Sequence, residues 1–146
     1  KAKIMRRKGA VIEYARERNR EIFLLFREIN SRGGLSRSEV CKIIAKSPAS
    51  RFWVSEERAS YVVSAMLAGR PLQRMRAGRE AMFREILRRV RVLMEEHPDA
   101  RIIELVTTVI HQPAPEFYLT PGTVGIFYHY HCKSQRARSR INFADV

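Results

Sequence analysis

The sequence predicts an all-α protein built from two tandem three-helix units that are related by an internal repeat of 65 residues. Three observations support this prediction. Apolar residues recur at helical spacing in two long segments, glycines and prolines interrupt the chain between short apolar segments, and an aromatic connector occurs twice. The composition, 45% hydrophobic and 29% charged, is that of a globular chain with a buried core.

The first predicted unit, residues 10–70, follows a basic arm of residues 1–9. Apolar residues spaced by three and four positions over 11–29 predict a long helix with one buried face. The glycine pair at 33–34 is expected to end this helix, because glycine adopts the left-handed conformation that closes many helices.

Two shorter helices complete this unit. Ser36 is the predicted N-cap of the second helix, which ends ahead of Pro48 because proline disfavours helical geometry in the residue before it. Cys41, on this helix, is expected to be a core residue. Ser55 is the predicted N-cap of the third helix, and Gly69 is expected to close it.

The second predicted unit, residues 71–132, begins with another long helix and is followed by a basic tail, residues 133–146. The long helix is expected to end near Pro98, and a short helix to end ahead of Pro113. Thr120 is the predicted N-cap of the last helix, with a proline at the first helical position. The apolar stripe of the long helix comprises Met82, Phe83, Ile86, Leu87, Val90 and Met94.

The aromatic connector is the strongest indication of the repeat. The sequence PASRFWVS at 48–55 aligns with PAPEFYLT at 113–120, and six of the eight columns agree in chemistry. The same shift aligns the apolar residues of the long helices, and those of the short helices, in both halves. We therefore expect the order long helix, short helix, connector and third helix to occur twice.

The connector aromatics have different expected roles. We expect Phe52 and Phe117 to lie in the core. Two alternatives stay open for Trp53 and Tyr118: they pack between the repeats, or they stack on a nucleic-acid base.

The charge balance predicts a polyanionic partner. The chain has 28 Lys and Arg against 15 Asp and Glu, a net charge of +13, and arginine outnumbers lysine. The basic excess is concentrated towards the two ends of the chain, so phosphate contacts are expected there, at Arg6, Arg7, Lys8, Lys133, Arg136, Arg138 and Arg140.

Base contacts are expected from the connectors and third helices, at Arg51, Arg58, Thr123, Tyr128 and His129, with Trp53 and Tyr118 as the stacking candidates. The second long helix also carries a basic stripe, which consists of Arg84, Arg88 and Arg91.

Two three-helix units, each with a connector before its last helix, resemble the helix-turn-helix class of DNA-binding domains, and their tandem order resembles Myb-type arrays. The segments PASRFWVSEERA and QPAPEFYLTP are also similar to small basic proteins of bacterial phages and mobile elements. These resemblances imply a non-enzymatic DNA-binding protein that serves as a regulator or accessory factor of a mobile element.

Other function classes stay open at this stage. One is an RNA-binding accessory subunit of a larger ribonucleoprotein or enzyme complex, and another is a module whose basic face binds an acidic protein. His129 and His131 match the paired histidines of some metal-dependent nucleases, which project from one strand face, and His111, His129 and Cys132 have the atom types of a zinc site. The repeat places the histidine pair on a helix, where residues two apart point in different directions, and the zinc pattern lacks a second Cys or His pair. We therefore expect no enzyme activity, no metal and no cofactor.

The sequence also suggests a compartment. It has no run of 18 apolar residues and no apolar stretch of the secretory type near its start. Two cysteines are too few for a disulfide scaffold and suit a reducing environment. We therefore expect a soluble, cytoplasmic protein without a membrane partner.

Overall fold

The computed structural model describes the backbone of residues 2–144 and the side chains of residues 14–140. This part of the chain contains six α-helices and no β-strand, which confirms the predicted all-α class. The six helices are α1 (Ala2–Ser31), α2 (Arg37–Ala45), α3 (Glu56–Leu67), α4 (Ala77–Glu96), α5 (Ile102–Ile110) and α6 (Pro121–Ala144).

The predicted N-caps begin three of the helices. Ser36 and Glu39 form a capping box at α2, in which each backbone N–H donates to the other side chain at 3.2 Å. The Ser55 hydroxyl accepts the N–H of Arg58 at 3.2 Å at the start of α3. The Thr120 hydroxyl accepts an N–H from the first turn of α6 at 3.3 Å. These contacts satisfy N–H groups that have no partner inside their own helix.

A Schellman motif ends α3 at the predicted glycine. Gly69 has a φ of +70°, which a residue with a Cβ adopts only at a cost. Its N–H donates to the Met66 carbonyl at 3.1 Å, and the N–H of Arg70 donates to the Ala65 carbonyl at 3.0 Å. The last carbonyls of α3 are thereby hydrogen-bonded.

The helices form two compact units that do not follow chain order. One unit comprises Lys1–Ala45 and Leu119–Val146, with helices α1, α2 and α6, and the other comprises Lys46–Tyr118, with α3, α4 and α5. This grouping differs from the predicted division into 10–70 and 71–132, because α3 packs with α4 and α5, and α6 packs with α1 and α2. Periodicity identifies the buried face of a helix but not the helix that covers it.

The α3–α4–α5 unit has a core of aliphatic and aromatic side chains. Phe52 and Phe117 are 1% and 4% exposed, which confirms their predicted burial. Ala49 and Ala114 lie beside each other in this unit, and each backbone N–H donates to the other carbonyl at 3.0 Å. The other core residues include Val54, Val62, Val63, Phe83, Ile86, Val90, Val106, Val109 and Ile110.

The α1–α2–α6 unit has a smaller core. The predicted core residue Cys41 is buried, and its thiol lies 3.6 Å from the position that a Cβ would take on Gly125 of α6. This distance is an ordinary van der Waals contact, so a methyl group would fit at Gly125 without displacing α2. The remaining core residues are Ile22, Phe26, Ile29, Val40, Ile44, Ala45 and Val124.

The predicted basic arm and tail lie largely within helices. Residues 2–9 belong to α1, and residues 133–144 belong to α6. The physical reason is local, since no proline follows the first residue of α6 and its Lys, Arg and Gln residues are good helix formers. The cations of 133–140 are therefore carried on a helix surface rather than on an extended tail. Among the residues that the structure describes, no helix combines the length and apolar character needed to cross a lipid bilayer.

Candidate nucleic-acid interface

The positive charge is concentrated on one of the two units. The α1–α2–α6 unit has 16 Lys and Arg against 6 Asp and Glu, whereas the α3–α4–α5 unit has 12 against 9. A polyanion is therefore attracted mainly to the α1–α2–α6 unit.

The two units also differ in how their cations are paired. The basic stripe on α4 is largely neutralised at its own surface, because Arg84 bonds Glu80 at 2.6 Å and Arg88 bonds Glu85 at 2.8 Å. Further ion pairs of the α3–α4–α5 unit join Arg89 to Glu85, Arg101 to Glu104 and Lys46 to Glu116. These pairs make the α4 stripe a poor phosphate site.

Helix α6 contrasts with this stripe. Its 24 residues include no Asp or Glu. His129, Lys133, Arg136 and Arg140 are exposed and follow one another at intervals of four, three and four residues, so they share one side of the helix. None of them forms an ion pair within the described part of the chain. This outer α6 face extends over about 16 Å at 1.5 Å per residue.

Two exposed apolar residues border the outer α6 face near its start. Ile126 is 50% exposed and Tyr130 is 56% exposed. They lie four residues apart and therefore on neighbouring turns of one side of α6. The surface thus combines apolar side chains in its first half with cations in its second half.

The opposite side of α6 packs on α1 through aromatic rings. Tyr128, predicted to contact a base, stacks on Phe26 with ring centroids 3.9 Å apart, and Arg37 of α2 lies over its ring at 5.3 Å. His131 lies against Phe23 at 4.6 Å. Tyr128 is therefore a packing residue of this unit, with only part of its ring at the surface.

Three arginines lie beside this aromatic contact. Arg20 and Arg27 flank Phe23 on α1, with Arg27 5.6 Å from the ring centroid, and Arg138 follows His131 by two turns on α6. Burial lowers the pKa of His131 below its usual range, and the positive charges of Arg138 and Arg20 lower it further. We call Arg20, Arg27, His131 and Arg138 the inner cluster.

The Arg51 side chain is hydrogen-bonded within its own connector, residues 48–55. The Arg51 guanidinium donates to the carbonyls of Phe52 at 3.0 Å and Val54 at 2.9 Å, and it lies 5.0 Å from the Trp53 ring centroid. Trp53 is only 8% exposed. These contacts favour packing over base stacking for Trp53, and they use two of the donors with which Arg51 was expected to bind a base.

The other predicted base-contact residues are dispersed. The Tyr118 ring stacks on Phe52 with ring centroids 6.2 Å apart, and burial raises the pKa of its phenol. Its backbone has a φ of +58°. Arg58 is partly exposed beside the segment that follows α3. Thr123 shares a 2.9 Å hydrogen bond with Thr120 at the start of α6. Of these residues, only Thr123 lies on the same helix as the outer α6 face.

The predicted phosphate-contact residues fall into three groups. Lys133, Arg136 and Arg140 lie on the outer α6 face, and Arg138 belongs to the inner cluster. The third group, whose side chains lie outside the described part of the structure, is placed within the bounds of α1 and comprises Arg6, Arg7 and Lys8.

The inner cluster includes residues that the sequence analysis missed. Arg20 and Arg27 do not belong to the apolar stripe that predicts α1, but their spacing of seven residues places them on one helix side. For His131 the sequence leaves open a metal-site pair with His129, a base or phosphate contact, and a surface or core position. The contact of Phe23 with His131 requires α1 and α6 to meet, which no local pattern indicates.

The arrangement on α6 does not suit the two metal-site alternatives. His129 is exposed, whereas His131 packs on Phe23, so the two rings do not project from one face as a histidine pair on a strand does. Within the described residues, no three His, Cys, Asp or Glu side chains come together as ligands of a metal ion would.

The candidate interface therefore consists of the outer α6 face and the inner cluster, both on the α1–α2–α6 unit. Comparison with protein-family models, curated proteins and solved structures finds no match to this chain.

Proposed function

We propose that this chain is a non-enzymatic nucleic-acid-binding protein that binds DNA through its α1–α2–α6 unit. The observation that carries the proposal is the outer α6 face, an exposed row of unpaired cations on a helix without a single carboxylate. Backbone phosphates would replace the counterions of these side chains, which supplies affinity for any sequence.

The shape of this surface favours duplex DNA. An α-helix fits the major groove of B-form DNA, which is about 12 Å wide, whereas the major groove of A-form RNA is too narrow for side chains to read. If the α1–α2–α6 unit binds DNA as a trihelical domain does, α6 would serve as its third helix. Ile126, His129 and Tyr130 would then face base edges, while Lys133, Arg136 and Arg140 contact phosphates.

One observation supports RNA or single-stranded DNA as a second candidate. The Tyr130 ring is 56% exposed, and an exposed aromatic ring can stack on an unpaired base. The chain would then be an RNA-binding accessory subunit of a larger complex. A Tyr130→Ala variant separates the two candidates, since its binding to single strands would fall severalfold more than its binding to duplex DNA only if stacking dominates.

We also infer an internal repeat of 65 residues, with exchange of the third helices between the two units. In its support, α2 and α5 have nine residues each, and Ala49 and Ala114, 65 positions apart, exchange reciprocal hydrogen bonds. An experimental structure tests this inference. The α1–α2 pair should superpose on the α4–α5 pair after the 65-residue shift, and clearly different interhelix angles would argue against a repeat.

The cellular setting is part of the same proposal. The resemblance to phage and mobile-element proteins supports a role as regulator or accessory factor of a mobile element. A cytoplasmic location is supported by Cys41 and Cys132, which are both free thiols and suit a reducing compartment.

The decisive experiment compares two triple variants that remove the same number of charges. K133A/R136A/R140A changes the outer α6 face, and R84A/R88A/R91A changes the α4 stripe. Fluorescence anisotropy would measure binding to duplex DNA, single-stranded DNA and structured RNA across a salt series. We expect the first variant to lose at least tenfold in affinity and to reduce the salt slope by roughly 2 to 3, because each phosphate contact contributes about 0.9.

The α4 variant should keep nearly the wild-type slope, since two of its three arginines already bond carboxylates. Equal losses in the two variants would mean that only net charge matters and would contradict an α6 interface. Wild-type binding weaker than about 10⁻⁴ M near physiological salt would reject nucleic-acid binding altogether and favour an acidic protein partner.

A further inference from the structure

The inner cluster places one partly buried histidine among arginines. His131 is held from two sides: its ring lies 4.6 Å from Phe23, and the side-chain amide nitrogen of Gln135 lies 3.1 Å from its Nε2. An amide nitrogen donates, so Nε2 accepts and the ring in this arrangement is neutral with its proton on Nδ1. These two contacts hold the orientation of the ring and leave Nε2 as a hydrogen-bond acceptor.

Among the described residues, four arginines lie close to this ring or to the aromatic rings beside it. Helix α1 contributes Arg20 and Arg27, α6 contributes Arg138, and α2 contributes Arg37, which lies over the neighbouring Tyr128. None of these arginines forms an ion pair within the described part of the chain. An anion bound there would relieve the repulsion among them.

Within the described side chains, the carboxylates of the two neighbouring helices lie away from this ring. At 100° per residue, the α1 residues Glu17, Glu21 and Glu28 are roughly 120° to 160° around the helix axis from Phe23. The α2 carboxylate, Glu39, accepts the N–H of Ser36 in the capping box. The thiol of Cys132 and the phenol of Tyr128 are further titratable groups beside this ring, and burial raises the pKa of Tyr128.

We propose that Arg20, His131 and Arg138 form a phosphate-binding site in which His131 takes up a proton when a backbone phosphodiester binds. This inference rests on the proposed function, since it assigns a second contact to the same nucleic acid. The proton comes from solvent and adds to the free ring nitrogen Nε2, and the Gln135 amide turns its oxygen towards the new N–H. No covalent bond of the phosphodiester changes.

The sign of the pH dependence follows from the charges. In the free protein, burial and the two arginines hold the pKa of His131 below its ordinary value of 6.5, so the ring is neutral at pH 7. A bound phosphate supplies a negative charge and stabilises the imidazolium, which raises the pKa. Binding therefore takes up a proton and strengthens as the pH falls through the interval between the free and bound pKa values.

The test measures the pKa of each histidine ring by NMR, with and without the duplex DNA used above. A second titration uses inorganic phosphate against chloride at equal ionic strength, which probes the site without DNA. We expect both phosphate-containing ligands to raise the pKa of His131. We also expect the Kd for DNA at pH 5.5 to be about tenfold lower than at pH 7.5, which corresponds to a rise of one pH unit in that pKa.

Two histidine variants separate this site from the outer face. H131Q should bind DNA at pH 7.5 about as well as the wild type but lose most of the pH dependence, while H129Q should retain the rise in the His131 pKa. R20A/R138A should bring the pKa of free His131 closer to its ordinary value and weaken the response to inorganic phosphate. Circular dichroism would confirm that each variant is folded.

The outcomes distinguish the two proposals. If DNA binds but neither DNA nor inorganic phosphate changes the pKa of His131, the phosphate site is rejected and the proposed function stands. If inorganic phosphate raises this pKa but no nucleic acid binds, the site is supported and the proposed function is rejected. An unchanged pH dependence in H131Q would also overturn the assignment to His131.

Discussion

Arg89 joins several parts of the α3–α4–α5 unit through a single side chain. Its guanidinium donates to Glu85 at 2.8 Å, to the Gln112 side chain at 3.2 Å and to the Pro113 carbonyl at 3.0 Å, and it lies 5.0 Å from the Phe52 ring centroid. The arginine thus links α4 to the end of α5 and to the first connector. Such a partly buried cation with three hydrogen bonds stabilises a fold more than an exposed ion pair does.

Glu85 carries the pH dependence of this network. Hydrogen bonds from Arg88 and Arg89, opposed by burial, lower the pKa of Glu85 from 4.5 to about 2. Because the folded pKa lies below the unfolded value, the stabilisation is complete above about pH 4.5 and is lost as the pH falls towards 2.

Glu85→Gln should therefore lower the free energy of unfolding by about 1 kcal/mol at pH 7 and by much less near pH 2. Thermal unfolding of both proteins across this pH range measures the difference. Glu80→Gln is the matched control, since Glu80 bonds only Arg84 at the surface, and its effect should be smaller. A pH-independent difference between wild type and Glu85→Gln would contradict the role of the lowered pKa.

At the scale of single helices, two glycines occupy positions with different amounts of free space. A Cβ on Gly125 of α6 would lie 3.6 Å from the Cys41 thiol, an ordinary contact, whereas a Cβ on Gly78 of α4 would lie 3.0 Å from the Tyr118 carbonyl oxygen. Tyr118 already has a φ of +58°, so its backbone has little freedom to move away. The same substitution should therefore have opposite effects at the two positions.

Gly125→Ala should stabilise the protein by up to about 1 kcal/mol, because alanine favours the helix interior over glycine by that amount. Gly78→Ala should destabilise it, because the clash exceeds the smaller gain at a first-turn position. Chemical denaturation of the two variants measures both signs. Stabilisation by Gly78→Ala would show that α4 and the second connector are less closely packed than the structure indicates.

At the scale of the whole molecule, one unit is assembled from the two ends of the chain and the other from the segment between them. The α1–α2–α6 unit is formed by Lys1–Ala45 and Leu119–Val146, while Lys46–Tyr118 forms the α3–α4–α5 unit from one continuous segment. The strong basic excess belongs to the discontinuous unit. Binding of nucleic acid is therefore expected to depend on both ends of the chain.

This arrangement makes a prediction about fragments. Residues 46–118 contain a complete core and should unfold cooperatively on their own, with little affinity for DNA. Residues 10–70 correspond to the first unit expected from the sequence, but they separate α3 from α4 and α5 and should remain largely unfolded. Circular dichroism and urea titration test both fragments. Cooperative unfolding of 10–70 but not of 46–118 would contradict the observed units.

The sequence by itself determined the all-α class, most helix ends and the buried connector residues Phe52 and Phe117. These features depend on capping side chains, glycine and proline geometry and apolar periodicity, all of which act within a few residues. The net charge and its excess towards the chain ends were also evident. The expectation of nucleic-acid binding, which depends on that charge, is still a proposal.

The contacts between helices are needed to tell which helices share a core and which of the described arginines form ion pairs. The apolar periodicity of α6 does not specify whether this helix packs on α1 or on α5. The sequence pattern of the α4 stripe likewise does not specify whether its arginines are paired with carboxylates. The structure brings His131 beside Phe23 and buries Trp53, contrary to its possible use as a base-stacking ring. The physical reason is that partner choice, burial and ion pairing depend on contacts between residues far apart in the chain, which local propensity does not specify.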